Sequence, residues 1–189
     1  MEENMINRLD LKCDITKIVD ECQSIITEHG WGYKNQIGLN ARIDALNQWH
    51  DSTGSLYDKI DKKFIANETD FSEWNLDENN YIRKQIELLQ SVEGFKMGRI
   101  RIMRLHPHTG LSVHMDREVR FHMVLKTNRS AYFAFNNGVL VPDNVSKMGE
   151  FYHIPKDGSW YKVDTKKMHW VYNGGEEERI HLVVCGEEQ

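Results

Sequence analysis

A chain of 189 residues, 40% of them apolar, is long enough to bury one real core and is expected to form a single domain with peripheral elements. Its net charge of -5 and pI near 6.0 give no global basic field, so nucleic acid and anionic membrane are unlikely partners, although a local basic groove is not excluded. The charged start, MEENMINRLD, followed by no long apolar run, predicts neither a secretory signal nor a membrane span and hence a cytoplasmic protein.

Residues 1–10 read as a polar lead-in. From Asp14, a side-chain cap, the apolar positions Ile15, Ile18, Val19, Cys22, Ile25 and Ile26 share one helical face, and Gly30 stands where a helix ends. A short strand is expected near Gln36 to Leu39, and Asp51-Ser52-Thr53-Gly54 is a turn. Ser55 then caps a second predicted helix, with Leu56, Tyr57, Ile60 and Phe64 as its apolar positions. Residues 67–80 read as a loop, and a third helix runs from Tyr81 to Ser91 with Ile82, Ile86 and Leu89 inward.

After Gly94 the periods become short and alternating. Strands are predicted at Lys96 to Leu105, Arg120 to Lys126, Ala131 to Asn136, Val139 to Val141, Glu150 to Ile154, Trp160 to Val163, His169 to Tyr172 and Ile180 to Cys185. Turn formers separate them: Asn136-Asn137-Gly138, Lys156-Asp157-Gly158 and Asn173-Gly174-Gly175. Helices first and strands after predict a mainly β, α+β domain: a double-sheet jelly roll with helices against one face. Cys13, Cys22 and Cys185, an odd number without a CxxC pair, argue against a disulfide framework or a thiolate zinc site and predict reduced, buried thiols.

The chemistry concentrates between Arg99 and Cys185. In His114-Met115-Asp116, extended backbone would turn the imidazole and the carboxylate to one face and Met115 away. Alone this pattern is weak. His169 adds weight, because an isolated histidine in the apolar run Met168-His169-Trp170-Val171-Tyr172 needs a partner for its nitrogens. Arg179, ten residues on, opens another apolar strand, where a positive charge is costly to bury without an anion. Arg120 and His122 share a face and form a second pair of anion donors. Two neutral imidazoles and one carboxylate suit iron(II) and leave positions open for a 2-oxo acid and dioxygen. The acid's far carboxylate then needs a guanidinium.

The run His106-Pro107-His108 through His114-Met115-Asp116, then Arg120-Phe121-His122, His169 and Arg179, resembles the aspartyl/asparaginyl beta-hydroxylase family of Fe(II)/2-oxoglutarate oxygenases. The resemblance spans roughly residues 99–186. It implies a cupin-like double-stranded β-helix over residues 95–186, with residues 1–94 as helical support and substrate loops. It also implies iron(II) on His114, Asp116 and His169, with Arg179 on the distal carboxylate of 2-oxoglutarate and Arg120 and His122 at its other end. The product side would be a hydroxylated amino acid or Asp/Asn-type side chain, free or within a peptide, with succinate and carbon dioxide released. Asp116 departs from the mammalian peptidyl enzyme, which lacks that carboxylate. A serine that helps hold the cosubstrate there falls on Met103, so His181 or a tyrosine is a candidate replacement.

Other residues are weaker candidates. His106 and His108 are expected in a solvated loop, and His153 and Trp160 either at the pocket mouth or in strand packing. Asp164 can orient a ligand histidine, and Asn173 can satisfy turn backbone. Gln36, Asn40, Arg42 and Arg117 are candidate substrate contacts on loops. Two alternatives keep the barrel: a non-redox metal-binding or ligand-sensing cupin module, and an oxygenase of nucleic-acid bases or protein lysines.

Overall fold

The computed structural model describes residues 4–135 and 149–188. The predicted turn at residues 136–138 and strand at residues 139–141 lie outside them. In order the elements are β1 Ile6–Lys12, α1 Ile15–His29, β2 Gln36–Gly38, β3 Asn40–Ala41, α2 Gln48–Asp51, β4 Tyr57–Asp58, β5 Lys63–Phe64, β6 Glu73–Trp74, α3 Tyr81–Glu93, β7 Phe95–Leu105, β8 Thr109–His114, β9 Val119–Lys126, β10 Ala131–Phe135, β11 Glu150–Tyr152, β12 Ser159–Val163, β13 His169–Asn173 and β14 Arg179–Glu188.

Two antiparallel sheets carry the fold, a six-stranded one in the order β1-β12-β9-β14-β7-β2 and a four-stranded one in the order β11-β10-β13-β8. From β7 onward the chain passes back and forth between the two sheets, with β10 and β11 paired within the four-stranded one, giving the cupin-like double-stranded β-helix. Strand alternation sorts the six-stranded sheet into two faces. Phe121, Met123, Leu125, Leu182, Val184, Ile100 and Ile102 pack outward with Ile18, Cys22 and Ile25 of α1 and Ile82, Ile86 and Leu89 of α3. The opposite parity on β9 and β14 turns Arg120, His122, Arg179 and His181 into the barrel, where Val124, Phe133, Phe135, Tyr161 and Val171 form an inner apolar cluster.

Both long helices start as the sequence predicts. Asp14 accepts from the amides of Thr16 and Lys17, and the Asn80 side chain accepts from the amide of Arg83. At the end of α3, Gly94 takes a left-handed conformation with φ 66°, donates to Gln90 and hands the chain straight into β7. All three cysteines are free and buried. No described helix is long and apolar enough to cross a membrane.

Four expectations are corrected. The lead-in contains a strand, since Leu9 and Leu11 pack with the outer cluster while Ile6 joins the inner one, a period of two masked by intervening charges. Ser55 to Phe64 is a hairpin of β4 and β5, not a helix. The Asp58 side chain accepts the amides of Ile60 and Asp61, closing a turn, and Ile60 is 91% exposed, leaving the supposed apolar face unpacked. Residues 67–80 are not all loop, because β6 pairs with β3. Finally, the segment before His114 is an edge strand, β8, whose exposed residues show no burial alternation to reveal it.

Candidate metal centre and acid-binding cavity

His114 ends β8 and His169 opens β13, and the two face each other in the strand pairing, with ring centroids 4.4 Å apart. Asp116 lies two residues past β8, held by its amide donating to Thr165 O at 2.8 Å. One ligand atom from each of the three lies within 4.8 Å of the others. Asp116 Oδ2 stands 3.7 Å from His169 Nε2 and 4.0 Å from His114 Nε2. Met115 points away and is 61% exposed, as strand alternation requires.

Each ring is oriented from behind by a backbone carbonyl. His114 Nδ1 lies 2.6 Å from Ser112 O and His169 Nδ1 lies 2.9 Å from Lys167 O. A carbonyl only accepts, so Nδ1 carries the proton in both rings and each Nε2 lone pair is left for a ligand. Burial lowers the His169 pKa to about 4, which keeps the ring in the neutral, ligating form. Asp116 Oδ1 accepts from Arg120 Nη2 at 2.6 Å, whereas Oδ2 is buried and has no partner. An orphaned carboxylate oxygen beside two imidazole nitrogens is a donor set that fits a divalent metal ion, and iron(II) in particular among ions preferring this mixed set. Asp164 does not orient either ligand; the Lys167 carbonyl takes that part, and Asp164 Oδ1 is itself buried without a partner.

One cavity joins this cluster to Arg179. Its walls include His114, His169, Arg120, His122, Phe133 and Arg179. Arg179 is 6% exposed, lies over the Phe133 ring at 5.1 Å and donates to His181 Nδ1 at 3.3 Å. Burial lowers its pKa to about 9, with no carboxylate among the described residues offsetting the charge. Arg120 and His122 also reach the cavity, but not as equivalent donors. Arg120 is committed to Asp116, which raises its pKa against the opposing effect of burial. Burial and the nearby Arg179 push the His122 pKa well below its usual range, so that ring is neutral.

The weaker candidates separate cleanly. Gln36 lines the cavity. Asn40 is structural, bridging Phe71 O, Gly98 O and the amide of Ile100. Arg42 is paired with Asp51 beside a wide surface depression that holds none of these groups, and Arg117 covers the Phe64 ring at 4.5 Å. His106 and His108 sit in the loop before β8, next to Asn35 and Glu176. His153 is exposed, and Trp160 packs in the outer cluster. Asn173 ties down the turn before β14 by donating to Leu105 O, His106 O and Glu177 O.

A buried ionic pair escaped the sequence reading. Arg99 grips Glu68 through two contacts of 2.7 Å, both residues being nearly inaccessible. Burial opposes ionisation of Glu68, yet the Arg99 hydrogen bonds hold its pKa down at about 2. Beside it Arg101, 2% exposed, donates to Gln36 Oε1 at 3.2 Å. The alternation Arg99-Ile100-Arg101-Ile102 carried the signal, because isoleucines packed on one face oblige both arginines to turn inward.

A family model described as Aspartyl/Asparaginyl beta-hydroxylase matches residues 14–188. No curated protein gives a significant match. Among solved structures, AviO1 from Streptomyces viridochromogenes superposes with a TM-score of 0.56 at 13% identity, covering 98% of this chain and 90% of that one. The viral collagen prolyl hydroxylase of Paramecium bursaria Chlorella virus-1, solved with 2OG, gives 0.53 at 12% identity, covering 100% and 98%. The non-heme alpha-ketoglutarate-dependent epimerase SnoN from nogalamycin biosynthesis gives 0.54 at 11%, covering 98% and 78%. At these identities the likeness establishes a common fold.

Proposed function

Because the chain belongs to the aspartyl/asparaginyl beta-hydroxylase family and is thus a 2-oxoglutarate/Fe(II) hydroxylase, we propose that it hydroxylates an unactivated C–H of an amino acid or of an Asp/Asn-type side chain. We assign iron(II) to His114, Asp116 and His169, and the distal carboxylate of 2-oxoglutarate to Arg179. The observation that carries this reading is one cavity lined by the two histidines of a His-Asp-His cluster and by a buried guanidinium that has no counter-charge among the described residues.

When bound, iron(II) with 2-oxoglutarate and dioxygen supplies the oxidising chemistry, releasing succinate and carbon dioxide as a C–H becomes C–OH. The chain's own groups bind, orient and exclude water. Ser112 O and Lys167 O keep both Nε2 lone pairs aimed at one point. Arg120 fixes Asp116 through Oδ1 so that Oδ2 is the ligating oxygen. Arg179 and Phe133 close the inner end of the cavity and set the length of the acid that fits. An amino-acid or Asp/Asn-type substrate is supported by the family the chain belongs to.

Iron(II) and 2-oxoglutarate added anaerobically should give a visible charge-transfer band that His114→Ala loses. Screening amino acids and short acidic peptides for coupled succinate release then identifies the substrate. A parent protein with neither band nor succinate would end this reading in favour of a non-redox cupin module.

A further inference from the structure

Among the described residues Arg179 makes a single side-chain hydrogen bond, to a partner whose role the proposed chemistry has not used. His181 is two residues along β14 on the same face, and its Nδ1 lies 3.3 Å from Arg179 Nη2. A guanidinium only donates, so His181 Nδ1 must be the acceptor and hold a lone pair. The same Nδ1 lies 3.4 Å from His122 Nδ1. Two lone pairs cannot face one another at that distance, so His122 donates its Nδ1 proton into the same atom. One nitrogen therefore ties the arginine at the inner end of the cavity to the histidine nearer the metal cluster. In the strand pairing His181 stands directly opposite Met103, a thioether with no strong hydrogen-bonding group.

We propose that His181 is a positioning residue for the cosubstrate, its Nδ1 lone pair fixing Arg179 and His122 in the geometry that receives a five-carbon diacid. The proposal rests on the oxygenase reading above. It follows that His181 is the Nε2–H tautomer. Its Nε2 is buried with no protein partner, and a small cavity lined by Thr127, Ala131, Tyr132, Phe133, Ile154 and Arg179 adjoins the ring. Burial, with Arg179 nearby, holds the imidazole neutral.

The test compares two acids in anaerobic titrations of the iron(II)-loaded protein, read by the charge-transfer band and by calorimetry. The acids are 2-oxoglutarate and 2-oxovalerate, which has the same chain length without the distal carboxylate. His181→Leu should weaken 2-oxoglutarate by about tenfold or more, the worth of a hydrogen bond to a charged group, and leave 2-oxovalerate within about twofold. His181→Asn, which returns an oxygen near the Nδ1 position, should recover most of the loss. Equal weakening of both acids, or of neither, overturns the proposal. If His181→Leu does not fold, two-bond ¹⁵N–¹H spectra of the unaltered protein decide it: a protonated Nδ1 on His181 refutes the assignment. A parent protein that binds no 2-oxoglutarate would instead count against the oxygenase reading, while the tautomer spectrum still judges His181.

Discussion

Arg179→Leu should make the ligand-free protein more stable while destroying its response to 2-oxoglutarate. The guanidinium is buried with no carboxylate partner among the described residues, and burial lowers its pKa from the ordinary arginine range to about 9. At about 1.4 kcal/mol per pKa step, keeping this charge dry costs roughly 5 kcal/mol, a ceiling that water penetration reduces. Leucine removes that cost but also removes the contact with Phe133 and the hydrogen bond to His181. A net gain of about 1–3 kcal/mol is expected, which for a chain of this size raises Tm by about 2–10 °C. In the parent protein, 2-oxoglutarate at one hundred times its Kd should stabilise by about 2.7 kcal/mol; the variant should show no such shift. Sign and pH agree. Above about pH 9 and up to the ordinary arginine range the unfolded chain binds the extra proton, so the parent's stability rises with pH there, and the variant flattens that slope. Thermal scans with and without the acid test all three points. A variant that melts lower than the parent and still responds to 2-oxoglutarate would refute the reasoning.

Asp116→Ala removes a ligand and also strands Arg120, so metal analysis after dialysis should show at least a tenfold fall in bound iron, alongside a loss of roughly 3–5 kcal/mol in stability. Retained iron would assign the metal elsewhere. Glu68→Gln should cost about 3–5 kcal/mol by leaving Arg99 charged and buried. Because the folded pKa of Glu68 is depressed from 4.5 to about 2, the parent holds about 3 kcal/mol above pH 4.5 that is lost as pH falls toward 2, and denaturant titrations should find this acid sensitivity missing from the variant. Ile86→Ala, on the helix side of the six-stranded sheet, should lower stability by about 2–5 kcal/mol yet leave 2-oxoglutarate affinity unchanged, since α3 packs on the face opposite the cavity.

How legible all this was depended on where each signal sits. His114, Asp116, His169 and Arg179 could be read because strand parity and an unpaired charge in an apolar run are local properties, and pairing of β8 with β13 then closes the long gap between the histidines. Arg120 lines the cavity, but its neighbour was not legible: the bond to Asp116 needs the turn between β8 and β9. Strand β8 itself was invisible, because an exposed edge strand has no burial alternation to display. The hairpin at residues 57–64 was misread because apolar spacing mimicked a helix while the Asp58 side chain set a turn. Glu68 could not be linked to Arg99 from the sequence, since thirty-one positions and an irregular segment separate them.

The position of β8 at the border of its sheet makes the three side chains proposed to hold the metal unequal. His169 stands on a strand flanked on both sides, and its side chain is 3% exposed; His114 stands on the outermost strand and its side chain is 33% exposed. Among the described residues the outer border of β8 has no ladder partner, so this strand has less backbone support than β13. A metal ion held as proposed would thus rest on two well-buried donors, His169 and Asp116, and on one, His114, carried by the more open strand. If these three side chains hold a metal ion, Leu111 and Val113, exposed on β8, are the positions at which the support of His114 could be altered without touching a donor atom.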